Sequence, residues 1–254
     1  MSKNLKEERL GAVRTNRYGS RMKVVEYNGN HDIYVQFDRG NIVHTDWKAF
    51  CKGEVANVYD KTVYDVGYLG EGEYAHSEGG VVTSRYVTWQ HMLSRCYNAK
   101  FQKNNETYKG CMVVEEWHNF QNFAKWYDEN YYEVEGEVMC LDKDIIFKGN
   151  KVYSPDACVF VPNRLNVLVV NPRKKRGKLP VGVSYDKASG KYKAQVNIQG
   201  KYRNLGRFST VGEAFTAYKK AKEEYIKAVA WKYSKDIPVH LFIALNAYEV
   251  DIND

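Results

Sequence analysis

The sequence predicts an α+β protein with antiparallel sheets, and three observations lead to this class. Short β-prone runs separated by turn residues occupy residues 21–74. Two segments with helical spacing of apolar residues follow, and after them come two apolar runs and a short helix, which is a ββα arrangement. Three further strand-like runs and a long amphipathic segment predict a C-terminal three-stranded antiparallel sheet backed by one helix.

Length and composition exclude several classes of protein. A chain of 254 residues exceeds one average domain, and we expect domains at 1–76, 77–171 and 172–254. With 44% hydrophobic and 27% charged residues, the chain is expected to fold rather than to be disordered. It has no apolar run that fits a membrane span or a signal peptide, and its five cysteines form no CxxC pair. These features predict a cytoplasmic protein with no membrane partner.

The first domain is expected to be a small antiparallel β-barrel-like unit. The runs RMKVVEY, HDIYVQF and IVHTDW are separated by the turn signals NGN and DRGN. Ile33, Val35 and Phe37 alternate with polar neighbours, which places them on one face of a strand. The unit carries no chemical motif, so we interpret it as a scaffold or a docking module.

The middle domain is expected to hold two helices followed by the ββα arrangement. Apolar residues recur at helical spacing in 84–98 and 115–130. Residues 137–146 and 151–161 are β-prone and are separated by the polar turn FKGNK, which predicts a hairpin. Pro162 suits the first turn of a short helix.

The positive charge is concentrated in one segment. Residues 172–235 contain 17 Lys and Arg against 4 Asp and Glu, whereas the rest of the chain contains 21 against 27. A concentrated positive field favours a polyanionic partner, because cations that neutralise phosphates release counterions. The segment begins with the linker NPRKKRGK, whose candidate phosphate-binding residues are Arg173, Lys174, Lys175 and Arg176.

The second strand of the C-terminal domain alternates strictly between polar and apolar residues. Tyr192, Ala194, Val196 and Ile198 are expected to pack on the helix that opens at Ser209 or Thr210 with Glu213 nearby as a cap. The opposite face is polar and basic, and the third strand is expected to add to it. The candidate DNA-contacting residues of these strands are Lys191, Lys193, Gln195, Asn197, Lys201, Arg203 and Arg207. A solvated sheet face is the alternative, although such a face normally mixes the two signs of charge.

The segment VGVSYDKASGKYKAQVNIQGKYRNLGRFSTVGEAFTAYKKA, residues 181–221, resembles an Apetala-type DNA-binding domain. The matching features are the opening GV, the aromatic followed by Ala in the second strand, the GK turn, the strand end LGRF and the helix with EAFTAY. The resemblance implies that the sheet enters the major groove of double-stranded DNA while the helix packs behind it.

The middle domain resembles the phage-encoded HNH-type endonucleases, which belong to the His-Me finger nucleases. The matching segments are WQHMLSRCYN, TYKG, VVEEWHNFQNFAKW and LDKDIIFKGNKVYSPDACVFVPNRLN. The resemblance implies a ββα site in which Asp142 and Asn166 ligate one divalent cation, Mg²⁺ or Mn²⁺, and in which Asn150 is the loop asparagine. It also places Lys143 where the family has its catalytic base histidine.

This lysine bears directly on activity. A general base must be unprotonated at the working pH, and an ordinary lysine is protonated there. Asp142 and Asp144 retain the oxygen chemistry that suits a hard cation, although a solvated strand end would show the same residues. His118 is a second candidate base, and a helix residue satisfied by its neighbours is the more common role of such a histidine.

Three hypotheses follow from these patterns. In the first, the chain binds DNA in the major groove through its C-terminal sheet, and its HNH-like centre does not cut efficiently. In the second, the chain nicks DNA with a divalent cation. In the third, it is a phage factor that binds and inhibits a host protein or nucleoprotein complex, with the Tyr-rich N-terminal unit as its contact surface.

Overall fold

A computed structural model describes residues 5–169 and 179–253. The predicted α+β class with antiparallel sheets is confirmed. The chain divides into two compact units, Met1–Glu129 and Asn130–Asp254. This division differs from the three predicted domains, whose boundaries stay a prediction. No helix in the described ranges combines the length and the apolar character that crossing a membrane requires.

The first unit begins with a short helix and an antiparallel sheet. The elements are α1 (Leu5–Arg9), β1 (Val13–Thr15), β2 (Arg21–Gly29), β3 (Asp32–Phe37), β4 (Ile42–Thr45) and α2 (Trp47–Lys52). The strands pair in the order β1-β2-β3-β4. Within the described residues the two edge strands, β1 and β4, do not pair with each other, so the structure is an open sheet and not the expected closed barrel. The predicted buried row of Ile33, Val35 and Phe37 is confirmed.

Helix α2 is fixed by signals at both of its ends. Asp46 caps it by accepting a hydrogen bond of 2.9 Å from the backbone N–H of Ala49. Gly53 ends it with φ of 69°, a conformation that glycine adopts without steric cost. Phe50 of this helix is fully buried with Met22 and Val24 of β2, which closes the core of the sheet.

The rest of the first unit is mainly helical. Its elements are β5 (Ser77–Glu78), β6 (Val81–Val82), α3 (Ser84–Tyr97), α4 (Ala99–Asn104), a 3₁₀ turn (Glu106–Tyr108), β7 (Met112–Val113), a 3₁₀ turn (Glu115–His118) and α5 (Phe120–Asn130). Both predicted helices are confirmed, but the second one begins at Phe120, because residues 115–118 form a 3₁₀ turn. Trp89, Trp117 and Phe123 fill the core of this region.

The second unit opens with the ββα arrangement. Its elements are β8 (Met139–Asp142), β9 (Val152–Tyr153), β10 (Val159–Pro162) and α6 (Asn163–Val169). Strands β8 and β10 pair antiparallel, as predicted for the hairpin. The predicted second strand over 151–161 is wrong in extent, because a turn at Ser154 interrupts it: the backbone N–H groups of Ala157 and Cys158 both bond to the Ser154 carbonyl.

The C-terminal sheet and helix follow as predicted. Strands β11 (Val183–Asp186), β12 (Lys191–Ile198) and β13 (Lys201–Phe208) pair antiparallel in this order. Helix α7 (Val211–Lys232) then runs for 22 residues. Its start is a capping box, in which Thr210 accepts from the backbone N–H of Glu213, and the Glu213 carboxylate accepts from that of Thr210. The last helix is α8 (Val239–Asn246).

Helix α7 serves two cores. Its first half contributes Phe215 and Tyr218 to a cluster with Val196 of the sheet. Its second half contributes Ile226 and Val229 to a cluster made with the ββα arrangement and α8. The ββα arrangement and the sheet are therefore built on one helix.

The residues after α8 close the sheet core. Val250 is 1% exposed and lies in the cluster of Phe215 and Tyr218. The backbone around it is held by side chains of α7: Lys219 donates to the Val250 carbonyl at 3.0 Å, and Glu223 accepts from the Val250 N–H at 2.8 Å. The C-terminal segment, for which the sequence gives no expectation, is thus part of the second unit.

We expect Val250→Ala to lower the free energy of unfolding by about 2 kcal/mol, because it removes buried methyl groups and leaves a cavity. Urea denaturation measures the change. Val239→Ala is the matched control, because Val239 is 73% exposed and its truncation is expected to cost less than about 0.5 kcal/mol. Equal losses in the two variants would contradict a docked C-terminal segment.

Candidate nucleic-acid interface and ββα centre

The central strand of the C-terminal sheet has two chemically distinct faces. Ala194 and Val196 are buried against α7, and Tyr192 and Ile198 are partly buried on the same side. Lys191 and Asn197 of the opposite side are exposed, with Lys193 and Gln195 half-buried between them. The predicted alternation is confirmed, and we call the side away from α7 the polar face.

A β-bulge changes what β13 adds to the polar face. Lys193 lies opposite Arg207 and Ala194 lies opposite Gly206, but the register shifts between Ala194 and Gln195. The extra residue on β13 is Leu205, which packs into the core beneath the sheet. Gly206 accommodates the bulge with φ of 126°, which a residue with a Cβ atom rarely adopts.

Beyond the bulge the two faces of β13 are exchanged relative to strict alternation. Arg203 lies opposite Val196 and Lys201 lies opposite Ile198, so both cations are on the α7 side of the sheet, where they are exposed at its margin. Directly opposed residues of antiparallel strands share a face. The expectation that Lys201 and Arg203 join Arg207 on the polar face is therefore wrong.

Two residues that the sequence pattern did not predict lie on the polar face instead. Tyr202 lies opposite Asn197 and Asn204 lies opposite Gln195, so both side chains are on the polar face. Tyr202 is 73% exposed, an unusual environment for a large ring. The signal for the bulge was Leu205, an apolar residue that strict alternation would have placed on the polar face.

Arg207 is held in place on the polar face. Its Nε donates to Asp186 Oδ2 of β11 at 2.6 Å, and this bond lowers the pKa of the Asp186 carboxyl. The guanidinium makes no other hydrogen bond with a described residue, so its terminal nitrogens keep their donors. The ion pair is exposed and contributes little to stability, but it orients the guanidinium on this face.

The four basic linker residues Arg173, Lys174, Lys175 and Arg176 lie outside the described residues. The structure therefore neither supports nor opposes their predicted contact with phosphates. The described part of the interface consists of the three strands.

The ββα arrangement places Asp142 at the end of β8. Its Oδ1 accepts hydrogen bonds of 2.8 Å from the backbone N–H groups of Asp144 and Ile145, which fixes the carboxylate where the chain leaves the strand. Burial, and then the neighbouring Asp144, raise the pKa of the Asp142 carboxyl to about 6. Two carboxylates in such proximity, one of them largely buried, form an oxygen donor set that suits a hard divalent cation.

Lys143 points into the protein and is 6% exposed. Its Nζ donates to Asp144 Oδ2 at 3.1 Å and to the Asn150 carbonyl at 2.8 Å, and it lies 5.8 Å from the centre of the Tyr153 ring. The Nζ group of Lys143 is thus held by groups of the protein itself.

Asn150 fixes the loop that carries Lys143. Its Nδ2 donates to the carbonyls of Lys143 and Val152, both at 2.7 Å, and its Oδ1 accepts from the Val152 N–H at 3.1 Å. One side chain thus joins the residue after β8 to the start of β9. This is a positioning role, and the sequence analysis had assigned to Asn150 only its match to the loop asparagine.

Asn166 lies on α6, which packs against β8 and β10. Its Oδ1 is buried and has no hydrogen-bond partner among the described residues. A buried carbonyl oxygen without a partner costs stability, and a bound cation would supply the missing partner. Among the described residues, no cluster of three or more His, Cys, Asp or Glu side chains is placed to hold a metal ion. Any cation here would bind to oxygens of Asp142 and Asn166, completed by water or by phosphate.

His118, the second candidate base, belongs to the first unit. Its Nε2 is 3.2 Å from the Tyr97 hydroxyl, and the two rings meet edge to face with centroids 5.7 Å apart. Burial, and then Lys61, lower the pKa of His118, which favours the neutral ring. The ring is half-buried and has its partner, Tyr97, in the same unit.

No protein-family model, curated protein or solved structure matches this chain. The function must therefore be inferred from the chemistry of the polar face and of the ββα centre.

We expect Asn166→Leu to raise the free energy of unfolding by about 1 kcal/mol in the presence of a chelator, because it removes a buried carbonyl that lacks a partner. Thermal or urea denaturation measures the change. Asn163→Leu is the control on the same helix, because Asn163 is exposed and is expected to change stability by less than about 0.5 kcal/mol. A loss of stability in Asn166→Leu alone would identify the amide as a structural group.

Proposed function

We propose that this protein binds double-stranded DNA through the polar face of the C-terminal sheet. The observation that carries the proposal is the composition of this face: Lys193 and Arg207 lie side by side across two strands, next to the amides of Gln195 and Asn204. Within the three described strands Asp186 is the one acid on this face, and it is bound to Arg207. An ordinary solvated face mixes the two signs of charge more evenly.

The chemistry of this face suits both parts of DNA recognition. Lysine neutralises phosphates in any sequence, whereas Arg pairs with guanine, and Asn and Gln with adenine, through two hydrogen bonds in the major groove. A sheet enters that groove when its outer face is free, and here the inner face is covered by α7. The resemblance to Apetala-type domains gives the same orientation.

The ββα centre adds a candidate cation site without an evident base. Asp142 and Asn166 would hold Mg²⁺ or Mn²⁺, and such an ion would polarise a phosphodiester bound to it. The buried Oδ1 of Asn166 fits this role because no residue that the structure describes is its hydrogen-bond partner. Lys143 is bound to Asp144 and to the Asn150 carbonyl, so it would steady an anion but would not accept a proton from water.

The conclusion is DNA binding with little cleavage. Metal-dependent nicking is the second candidate function, and the orphaned Asn166 oxygen is the observation that favours it. A cytoplasmic location is part of the proposal, because five widely spaced cysteines without a CxxC pair suit a reducing compartment.

We expect Lys193→Ala and Arg207→Ala each to weaken duplex binding about tenfold or more, because each removes a cation from the polar face. The slope of log K against log salt should become shallower by about one in Lys193→Ala if that lysine contacts a phosphate. Gel-shift or anisotropy titrations with a duplex between 50 and 200 mM salt measure both quantities.

The matched control is Arg203→Ala, which removes the same charge as Arg207→Ala from the same strand but from the other face. It is expected to change the affinity less than threefold. Equal losses in Arg203→Ala and Arg207→Ala would show that net charge, and not the polar face, governs binding.

We expect the unaltered protein to nick supercoiled plasmid slowly or not at all in Mn²⁺, and Lys143→His to nick faster, because histidine supplies a base with a pKa near neutrality. The double variant Lys143→His with Asp142→Ala should lose the gain. Lys143→Gln is the control, because it removes the ammonium without supplying a base.

Circular dichroism of each variant verifies folding, since Lys143 is buried and paired. Rapid Mn²⁺-dependent nicking by the unaltered protein, abolished in Asp142→Ala and by a chelator, would reject the first function and establish the second.

A further inference from the structure

A cleft of about 1530 Å³ lies in the second unit, separate from the Asp142 centre. Its floor is one face of α7, formed by side chains that recur every three or four residues. These are Tyr218, Lys222, Tyr225, Val229 and Lys232. One wall is the end of the C-terminal sheet and the other is formed by residues 134–138 and α6.

The cleft is open because β11 is shorter than the strand it pairs with. Val183–Asp186 cover only the first half of β12, up to Ala194. Beyond that point the one remaining bond is from the Gln195 N–H to the Gly182 carbonyl, at 2.9 Å. Gly182 itself lies against the Tyr218 ring so closely that a Cβ atom would clash with it. The sheet therefore ends early, and no strand among the described residues covers Lys222 of α7.

Lys222 is the cation at this end of the cleft. Its side chain is half-buried, and it forms no hydrogen bond or ion pair with any residue in the described ranges. Burial lowers the pKa of its ammonium, and no neighbouring acid offsets the effect. A cation that is partly removed from water and has no counter-ion is stabilised when an anionic ligand binds to it.

The groups around Lys222 suit an aromatic heterocycle as well as an anion. The sheet wall is the edge of β12 at Gln195, Asn197 and Gln199, together with Tyr202, and the side chains of Gln195, Asn197 and Tyr202 belong to the polar face. Tyr225 contributes a ring from the floor. Tyrosine rings stack on bases of any sequence.

The acids of the cleft are at its other end. Glu137 accepts from the Tyr233 hydroxyl at 2.6 Å and pairs with Arg164 at 3.4 Å, and Glu135 and Asp236 lie on the same side. Charge therefore directs an anionic ligand towards the sheet end and away from the wall of residues 134–138.

We propose that the sheet end of this cleft binds a nucleotide, with its phosphate on Lys222 and its base against Tyr225. The volume exceeds the roughly 300–1,000 Å³ of pockets for single small ligands, so it admits a short unpaired strand as well as one nucleotide. A duplex, whose major groove alone is about 12 Å wide, is read from outside and does not enter. The inference uses Lys222 and Tyr225, which duplex binding by the polar face does not need.

The test is fluorescence anisotropy of a labelled oligothymidylate with the full chain and with Lys222→Met. We expect the variant to bind at least tenfold more weakly. Lys220→Met is the matched control, because Lys220 is exposed on the same helix and does not line the cleft. Equal losses in the two lysine variants, or no loss in Lys222→Met, would overturn the proposal.

A second variant separates the base from the phosphate. Tyr225→Leu is expected to weaken oligothymidylate binding at least threefold while leaving binding of an abasic oligonucleotide of the same length unchanged. Competition by thymidine monophosphate distinguishes the two sources of the ligand: displacement at concentrations similar to those of the oligonucleotide identifies a free nucleotide, and displacement only at far higher concentrations identifies an unpaired strand.

Two controls accompany these variants. One tests whether they fold, and the other tests the duplex-binding proposal separately. Replacing a half-buried, unpaired ammonium with an apolar chain is expected to maintain or raise the melting temperature, so a drop would identify misfolding, and Lys222→Gln would then replace Lys222→Met as the decisive variant. Lys193→Ala, which affects duplex binding, does not line the cleft. Absence of duplex binding by the unaltered protein, with Lys222-dependent binding of the single strand intact, would therefore reject the sheet proposal alone.

Discussion

The second unit depends on α7 having two buried stretches with different partners. A helix of 22 residues is about 33 Å long, more than one small sheet can cover. Its first turns pack under the sheet through Phe215 and Tyr218, and its later turns pack on the ββα arrangement through Ile226 and Val229. Because both cores share this helix, its position determines where the candidate functional groups of the second unit lie.

The chemical character of the exposed surfaces follows from this constraint. The apolar side chains of β12 pack on α7. Because side chains alternate along a strand, Lys193, Gln195 and Asn197 lie on its other side. Between the end of the sheet and the ββα arrangement, no strand in the described ranges covers α7, and Lys222 lies there. The polar face and the cleft are therefore two consequences of one arrangement. Val250 and its bonds to Lys219 and Glu223 add to it by closing the sheet core from the C-terminal side.

Local patterns predicted the parts of the fold that local physics determines. The period-two alternation of β12 predicted its buried face. Thr210 and Glu213 predicted the start of α7, because a capping box needs only residues three positions apart. The bulge in β13 could not be predicted in this way. It exists because Leu205 packs against the core under the sheet and because Gly206 tolerates φ of 126°, and the first of these conditions is a tertiary contact.

The same limit applies to the candidate sites. Resemblance to a family indicated Asp142, Lys143 and Asn166, but not what surrounds them. That the Asn166 oxygen lacks a partner, and that Lys222 faces a cleft, depend on how α6 and β11 end relative to α7. No periodic pattern in the sequence indicates either property. The wrong face of the sheet was predicted for Lys201 and Arg203 for a similar reason, because a single inserted residue exchanges the two faces of a strand.

Lys143 shows how far the ββα centre departs from a working nuclease. A lysine becomes a base when its surroundings favour the neutral amine, through burial without acceptors or through neighbouring cations. Here the burial is present but the acceptors are present too: Asp144 and the Asn150 carbonyl both receive hydrogen bonds from the ammonium. The Asn150 side chain in turn holds the Lys143 carbonyl, so the loop keeps Lys143 Nζ directed at these two acceptors. The side chain at the proposed base position is thus engaged within the protein, which is why binding and cleavage separate in the function proposed for this chain.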